Sequence, residues 1–234
     1  MFIIKIADIN IAIYNTFDYL KKFCSQYIIE SDRFDFSVSV STDEIEHERS
    51  MLDFDADDGF IESICIYREI AKKLPDYNAF VIHCAAIEYN GFAYCFAAKS
   101  GTGKTTHIKL WRQTFGEMVH IINGDKPIMR FINDRFYVYG TPWSGKENFN
   151  NNVSFPLKSI CFLEQAEVNQ IFNLTKFDSL NRICQQIFLP KSTIGLGKTI
   201  DLIDKLLSDT KIYSLKCNIS PEAAILSKKV MCEE

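Results

Sequence analysis

The 234-residue sequence has no long apolar run, no excess of basic residues and no closely spaced pair of cysteines. No stretch approaches the roughly 18 apolar residues of a membrane-spanning helix, so we expect no membrane span. The net charge of −4, from 26 basic and 30 acidic residues, argues against a general nucleic-acid binder. The closest cysteines, Cys84 and Cys95, are eleven positions apart, which excludes a C-x-x-C metal or redox motif.

The N-terminus also lacks the basic segment and the apolar core of a secretion signal, which predicts a cytoplasmic protein with reduced thiols. Glycine and proline are too few, at 10 and 6 residues, for a linker-rich or disordered chain.

We predict that the chain has two portions. Residues 1–58 comprise strands, a helix and an acidic linker over 43–58, and residues 59–234 form the core.

A glycine-rich segment follows the apolar run Phe92 to Ala97 and precedes a predicted helix. It comprises Ala98, Lys99, Ser100, Gly101, Thr102, Gly103, Lys104, Thr105 and Thr106. The segment matches the phosphate-binding P-loop, or Walker A, pattern G-x-x-x-x-G-K-[ST], except that alanine replaces the first glycine. Glycines let backbone N–H groups converge on phosphate oxygens, the lysine offsets phosphate charge, and the Thr105 hydroxyl can bind Mg²⁺. The segment therefore predicts a site for ATP and Mg²⁺.

Residues 195–199, which read GLGKT, end in the same way as the P-loop pattern, but no apolar strand precedes them. We interpret this second run as a loop and a helix start without a phosphate-binding role.

The pairing of two strands predicts a histidine beside the P-loop. Asn90-Gly91 between two apolar runs is typical of a two-residue hairpin, in which Tyr89 pairs with Phe92. Extending that register places His83 opposite Ala98, and directly opposed side chains share one face of the sheet. We therefore predict that His83 contributes to the site. In this hairpin, the strand before the P-loop strand is its antiparallel neighbour. That pairing argues against Ras-like and adenylate-kinase-like folds, in which helical crossovers flank the P-loop strand.

Asp125 follows the apolar strand Val119 to Ile122, where a Walker B carboxylate would bind Mg²⁺ or accept a proton from a hydroxyl. A second hairpin about Asn133-Asp134 would bring residues 141–147 near Asp125. In that loop Lys146 could contact phosphate and Trp143 could stack on a base or on the acceptor; simple loop packing is the alternative for both.

Together these motifs resemble the HPr kinase/phosphorylase group, which shares its core with ATP-dependent phosphoenolpyruvate carboxykinases. The closest resemblance is to a branch of HPr-kinase-like proteins, some of which phosphorylate ribosomally made precursor peptides. That branch has similar runs at 106–112, 125–127, 140–146 and 217–223. The resemblance implies a mixed, partly antiparallel α/β sheet with a P-loop, and a small N-terminal α/β portion. One departure is Gly124-Asp125, where the HPr kinase pattern has two adjacent aspartates.

The resemblance implies a Mg-ATP-dependent kinase acting on a hydroxyl, with a serine of a protein or precursor peptide as the expected acceptor. Lys104, His83 and Asp125 would be catalytic, and Thr105 and Asp125 would bind the metal. A homo-oligomer is compatible with the resemblance. Two alternatives stay open: a nucleotide-binding regulatory module with little catalysis, which Gly124 favours, and a small-molecule kinase, which a small closed pocket near Asp125 would favour.

Overall fold

The computed structural model describes residues 1–232 as a mixed α/β chain with two sheets. The helices are α1 (Asp18–Phe23), α2 (Thr42–Met51), α3 (Asp58–Lys73), α4 (Lys104–Phe115), α5 (Lys176–Cys184), α6 (Thr193–Asp209) and α7 (Pro221–Cys232). The strands are β1 (Phe2–Ile6), β2 (Ile9–Tyr14), β3 (Ile28–Ile29), β4 (Phe36–Ser39), β5 (Ala79–Val81), β6 (Cys84–Tyr89), β7 (Phe92–Ala97), β8 (Val119–Asn123), β9 (Ile128–Ile132), β10 (Arg135–Tyr139), β11 (Ser154–Gln165), β12 (Gln170–Asn173) and β13 (Lys211–Cys217). Within the described residues, no helix is long and apolar enough to cross a membrane.

The larger sheet has nine strands and carries the P-loop-like segment. Its order is β5-β9-β10-β11-β7-β6-β8, and β13 pairs with both β11 and β12. Strands β7, β11 and β13 run parallel to one another, whereas the other pairings are antiparallel. The expectation of a mixed, partly antiparallel sheet is therefore confirmed. The parallel strands need long connections, which the intervening helices supply.

Both predicted hairpin registers are confirmed. Strand β6 pairs with β7 from Tyr89–Phe92 to Cys84–Ala97, and β9 pairs with β10 from Ile132–Arg135 onward. The turn residues have positive φ, 51° at Asn90 and 79° at Gly91, as a two-residue hairpin turn between twisted strands requires. The register therefore brings the residue before β6 to the level of the segment that follows β7.

The smaller sheet, in the order β3-β1-β2-β4, packs against the core through α3. One apolar cluster joins Ile4 and Ile13 of this sheet with Ile66 and Ile70 of α3, and it continues to Trp143. Apolar contacts thus cross the predicted boundary at residue 58. They give helix α3 a fixed position beside the loops that end the larger sheet.

The acidic segment is not an irregular linker throughout, because residues 42–51 form α2. Ser41 starts this helix with a capping box: its hydroxyl accepts from the Glu44 N–H, and the Glu44 carboxylate accepts from the Ser41 N–H. Ile45 packs against Ile61 and Cys65 of α3. The 195–199 run lies inside α6, where Lys198 forms an ion pair with Asp76. It therefore has none of the geometry of a strand–loop–helix phosphate site.

Candidate active site

The segment from residue 98 to residue 103 links the end of β7 to the start of α4. Gly101 and Gly103 have φ values of 78° and 116°, which side-chain-bearing residues adopt only with strain. Gly103 is the N-cap of α4 and Lys104 is its first residue. The backbone therefore has the strand–loop–helix form that the sequence pattern predicts, with the positive end of a 12-residue helix facing the loop.

Three predicted catalytic side chains meet at the base of this loop. The Nζ atom of Lys104 lies 2.9 Å from Nε2 of His83, and the same Nε2 lies 3.1 Å from Oδ1 of Asp125. Lys104 also donates to the carbonyl of Ala98 at 3.2 Å, and only 7% of its surface is exposed. A ring nitrogen either donates or accepts, so His83 Nε2 satisfies Lys104 or Asp125 but not both at once.

The charges of the trio influence one another. Burial lowers the pKa of Lys104, although the Asp125 carboxylate opposes that shift. Burial alone would raise the pKa of Asp125, but the hydrogen bond with His83 and the nearby cations Lys126 and Lys104 bring it below its ordinary value. Asp125 is therefore ionised at neutral pH.

Asn123, which the sequence patterns do not single out, holds the turn at Asp125 in place. It is fully buried, and its Oδ1 accepts from the backbone N–H groups of Asp125 and Lys126, at 2.8 Å each. Its Nδ2 donates to the carbonyl of Thr141 at 2.9 Å. The sequence offers one signal for this role, an asparagine two residues before a candidate acid. Asparagine side chains accept hydrogen bonds from backbone N–H groups about two residues later, and so stabilise turns.

The residues around Asp125 leave little room beside it. A Cβ added to Gly124 would lie 2.8 Å from the carbonyl oxygen of Ser144, and one added to Gly145 would lie 3.2 Å from Cβ of Asp125. The loop that contains residues 141–147 thus lies against Asp125, as the second hairpin predicted. Both glycines are needed for this close approach.

Trp143 and Lys146 have different surroundings within that loop. The Trp143 ring stacks on Tyr67 of α3 with centroids 4.1 Å apart, and its Nε1 donates to the carbonyl of Ser63 at 3.0 Å. Only 7% of Trp143 is exposed, so one ring face is used for packing. Lys146 is exposed. Their roles toward a base, an acceptor or phosphate remain predictions.

The predicted metal ligands are one carboxylate and one hydroxyl. Asp125 follows β8, and Thr105 is the second residue of α4. Within residues 1–232, no cluster of three or more His, Cys, Asp or Glu side chains could hold a metal ion by itself. This sparse oxygen donor set fits Mg²⁺, which keeps several waters and commonly takes one or two protein carboxylates together with substrate phosphates.

Two cavities share lining residues, one beside the glycine-rich loop and one beside His83. A cleft of about 820 Å³ runs along the loop from Ala98 to Thr102 and under residues 181–186. A smaller, mostly apolar pocket of about 270 Å³ includes His83, Lys126 and Trp143. Gln186 contributes to both cavities, and its backbone carbonyl accepts from the N–H of His83 at 2.7 Å. The sequence contained no motif that pointed to Gln186.

His107 anchors the helix that follows the loop. Nε1–H of Trp111 lies 3.2 Å from Nε2 of His107 and 2.9 Å from the Ser227 hydroxyl, which connects α4 to α7. Burial lowers the pKa of His107 to about 4, so the ring is neutral at pH 7. His107 therefore serves in the packing of α4 rather than as a cation at the loop.

Comparison with known proteins gives a distant structural likeness. No protein-family model and no curated protein matches the sequence. Among solved structures, the chain is similar to the Hpr(Ser) kinase/phosphatase from Coxiella burnetii, with a TM-score of 0.36 and 7% identity. The match covers 64% of this chain and 93% of that one. Because the likeness is so distant, the functional assignment depends on the residues of this chain alone.

Proposed function

We propose that this chain is a cytoplasmic, Mg-ATP-dependent kinase that transfers the γ-phosphoryl group to a serine hydroxyl of a protein or peptide. The observation that supports this proposal is the convergence of Lys104, His83 and Asp125 beneath the glycine-rich loop, with contacts of 2.9 and 3.1 Å. A buried lysine and an ionised carboxylate on either side of an imidazole suit the two tasks of phosphoryl transfer, charge stabilisation and proton acceptance.

The loop and Lys104 would bind the phosphates. An ammonium group has three donors, of which the Ala98 carbonyl takes one and His83 can take another. At least one donor is left for a β- or γ-phosphate oxygen. Phosphate charge would favour the protonated form of Lys104, and so oppose the effect of burial on its pKa.

Asp125 and His83 would act on the acceptor. The serine oxygen attacks the γ-phosphorus, the bond from that phosphorus to the bridging oxygen of ADP breaks, and the hydroxyl proton passes to Asp125. Because the hydrogen bond with His83 helps to keep Asp125 ionised, the carboxylate is ready to orient the hydroxyl before transfer. His83 keeps its proton in this arrangement, so Asp125 itself is the group that takes up the hydroxyl proton.

Thr105 and Asp125 are the residues that would hold the metal. When bound, Mg²⁺ neutralises charge on the β- and γ-phosphates. Asp125 would therefore be shared between metal binding and orientation of the hydroxyl. That sharing is feasible because a carboxylate has two oxygens: Oδ1 faces His83 and Oδ2 faces Lys126 at 3.7 Å.

Thermal unfolding with and without Mg-ATP tests the nucleotide site. At a ligand concentration a hundredfold above Kd, binding adds about 2.7 kcal/mol, which raises Tm by roughly 5–10 °C for a chain of this size. We expect this rise in the wild type and its loss in Lys104→Ala. Lys198→Ala is the matched control, since Lys198 has the same local sequence but lies inside α6; it should keep the rise. No rise in the wild type would contradict the proposal.

Transfer itself is tested with serine-containing peptides and γ-labelled ATP. Asp125→Asn should abolish labelling while the Tm rise with Mg-ATP stays close to that of the wild type. If the wild type binds Mg-ATP but labels no peptide or protein, the chain is not a serine kinase, and the regulatory-module alternative would replace this proposal.

A further inference from the structure

The small pocket beside His83 has a mostly apolar lining. Its lining residues include Tyr67 and Ala71 of α3, Trp143 and Phe188. His83 and Lys126 line it as well, so the pocket opens next to the carboxylate that would orient the acceptor hydroxyl. Its volume of about 270 Å³ is below the 300–1,000 Å³ typical of pockets for drug-sized ligands, so it suits a single side chain.

Gln186 has an unused hydrogen-bond acceptor at this point. Its side chain is 92% buried, since only 8% of the residue is exposed, and its Oε1 has no partner among the described residues. Buried polar atoms are normally satisfied, and an unsatisfied one costs about 1–3 kcal/mol. Gln186 lines both the phosphate-loop cleft and the apolar pocket, so a turn of its buried side chain would present Oε1 to a ligand that spans the two.

We propose that the apolar pocket binds an aliphatic or aromatic side chain of the acceptor peptide, next to the serine, and that Gln186 Oε1 accepts a backbone N–H of that peptide. This inference depends on the proposed function, because it assigns the acceptor of the same site. The acceptor serine would lie against Asp125, and the side chain of the next peptide residue would lie in the pocket. The two would thus lie on either side of His83. The pocket thus selects peptides by the residue that flanks the serine.

The charges around the pocket favour a peptide over a free amino acid. None of the described residues that line the pocket is Asp or Glu, whereas Arg68 and Lys126 are cations. Arg68 is already paired with Glu48, at 2.6 and 2.8 Å. Inside the pocket the ammonium group of a free amino acid would lie beside these cations, since Asp125 is not a lining residue, and its desolvation would be unfavourable. A neutral peptide N–H needs only the Gln186 acceptor.

Capped serine peptides that differ at one flanking position test the specificity. The flank before or after serine would be Gly, Asp, Leu or Phe, with glycine elsewhere. We expect Leu or Phe on one side to raise kcat/KM about tenfold or more over Gly, as burial of one such side chain allows. Equal rates for all flanks in an active enzyme would refute the pocket assignment and leave the kinase proposal intact.

Filling the pocket provides the matched variants. Ala71→Leu adds three carbon atoms to the pocket wall, so the Leu-to-Gly rate ratio should fall close to one. Gly197→Leu places the same side chain on a helix where an added Cβ meets no heavy atom within 4 Å, so the ratio should stay high. Gln186→Leu should raise KM for all capped peptides, whereas Gln113→Leu at an exposed position of α4, outside both cavities, should not. An unchanged ratio in a folded Ala71→Leu protein would refute the inference.

Equilibrium binding gives a readout that does not require transfer. Trp143 lines the pocket and the second tryptophan, Trp111, is fully buried in α4, so a fluorescence change would report on Trp143. We expect N-acetyl-leucinamide to change the emission of the wild type but not of Ala71→Leu, and free leucine to have no effect. Binding of leucine as tight as that of the amide would refute the peptide assignment in favour of a small-molecule acceptor. If the protein responds to Mg-ATP but binds neither probe, the pocket assignment alone is refuted. If it binds the amide but does not respond to Mg-ATP, the kinase proposal is refuted instead.

Discussion

Replacing Asn123 with alanine should destabilise the fold and misplace the Asp125 carboxylate. The substitution removes the acceptor for the backbone N–H groups of Asp125 and Lys126, and the donor to the Thr141 carbonyl. Asn123 is fully buried, so water cannot replace these bonds without opening the turn. At about 1 kcal/mol for each of the three bonds, the expected loss is about 3 kcal/mol. For a chain of this length, that corresponds to a Tm lower by roughly 6–12 °C.

Urea unfolding of Asn123→Ala beside Asn152→Ala measures this effect. Asn152 is exposed and donates to the carbonyl of Gln26 at 3.2 Å, so its loss should stay within about 0.5 kcal/mol. If Asn123→Ala unfolds within about 1 kcal/mol of the wild type, the buried network does not hold the turn, and the reasoning is wrong.

The same variant separates binding from transfer. The loop from Ala98 to Lys104 does not depend on Asn123, so the Tm rise with Mg-ATP should persist at a temperature where the variant is folded. Phosphate transfer should fall at least tenfold, because Asp125 would no longer be held against His83. A variant that is clearly destabilised yet transfers at the wild-type rate would show that Asn123 is only structural.

Two further predictions concern stability. Gly140→Ala should lower the free energy of unfolding by about 3 kcal/mol, because an added Cβ would lie 1.8 Å from the Asn151 carbonyl oxygen. Gly197→Ala within α6 should raise the free energy of unfolding by up to about 1 kcal/mol. The urea midpoints of the two variants would test both signs. Glu164 has a lowered pKa because Arg182 donates to it, so its contribution is present above its unfolded pKa of about 4.3 and is lost as pH falls. Glu164→Gln should therefore make acid unfolding less steep, and an unchanged acid transition would contradict the assignment.

The parts of the site that could be predicted from sequence are those governed by short-range geometry. An Asn-Gly turn with positive φ fixes the strand register, and side chains alternate with a period of two along each strand. His83 could therefore be placed opposite Ala98 from residue numbers alone. The loop pattern similarly predicts a helix after the glycines, which supply the left-handed conformations that the turn needs, and the structure begins that helix at Lys104.

Other elements depend on contacts that the chain makes only after folding. Strand β13 has no turn signal of its own, and it is defined by parallel pairing with β11. Gln186 reaches the site because its backbone carbonyl accepts a hydrogen bond from the N–H of His83, which is 103 positions earlier in the chain. Helix α2 is a different case, since the Ser41–Glu44 capping box is visible in the sequence, whereas the density of acidic residues favours a linker.

Gly124 is the residue at which this chain departs from the two-aspartate pattern that its sequence otherwise resembles, and the structure gives a physical reason for that departure. The space that a side chain would need is filled, since an added Cβ would lie 2.8 Å from the Ser144 carbonyl oxygen and 3.2 Å from Cβ of Phe149. The position is therefore not an open site from which a second carboxylate has been lost. The imidazole of His83 lies beside Asp125, with Nε2 at 3.1 Å from Oδ1. Under the proposed function, the tasks that two aspartates would divide are shared here between one carboxylate and an imidazole.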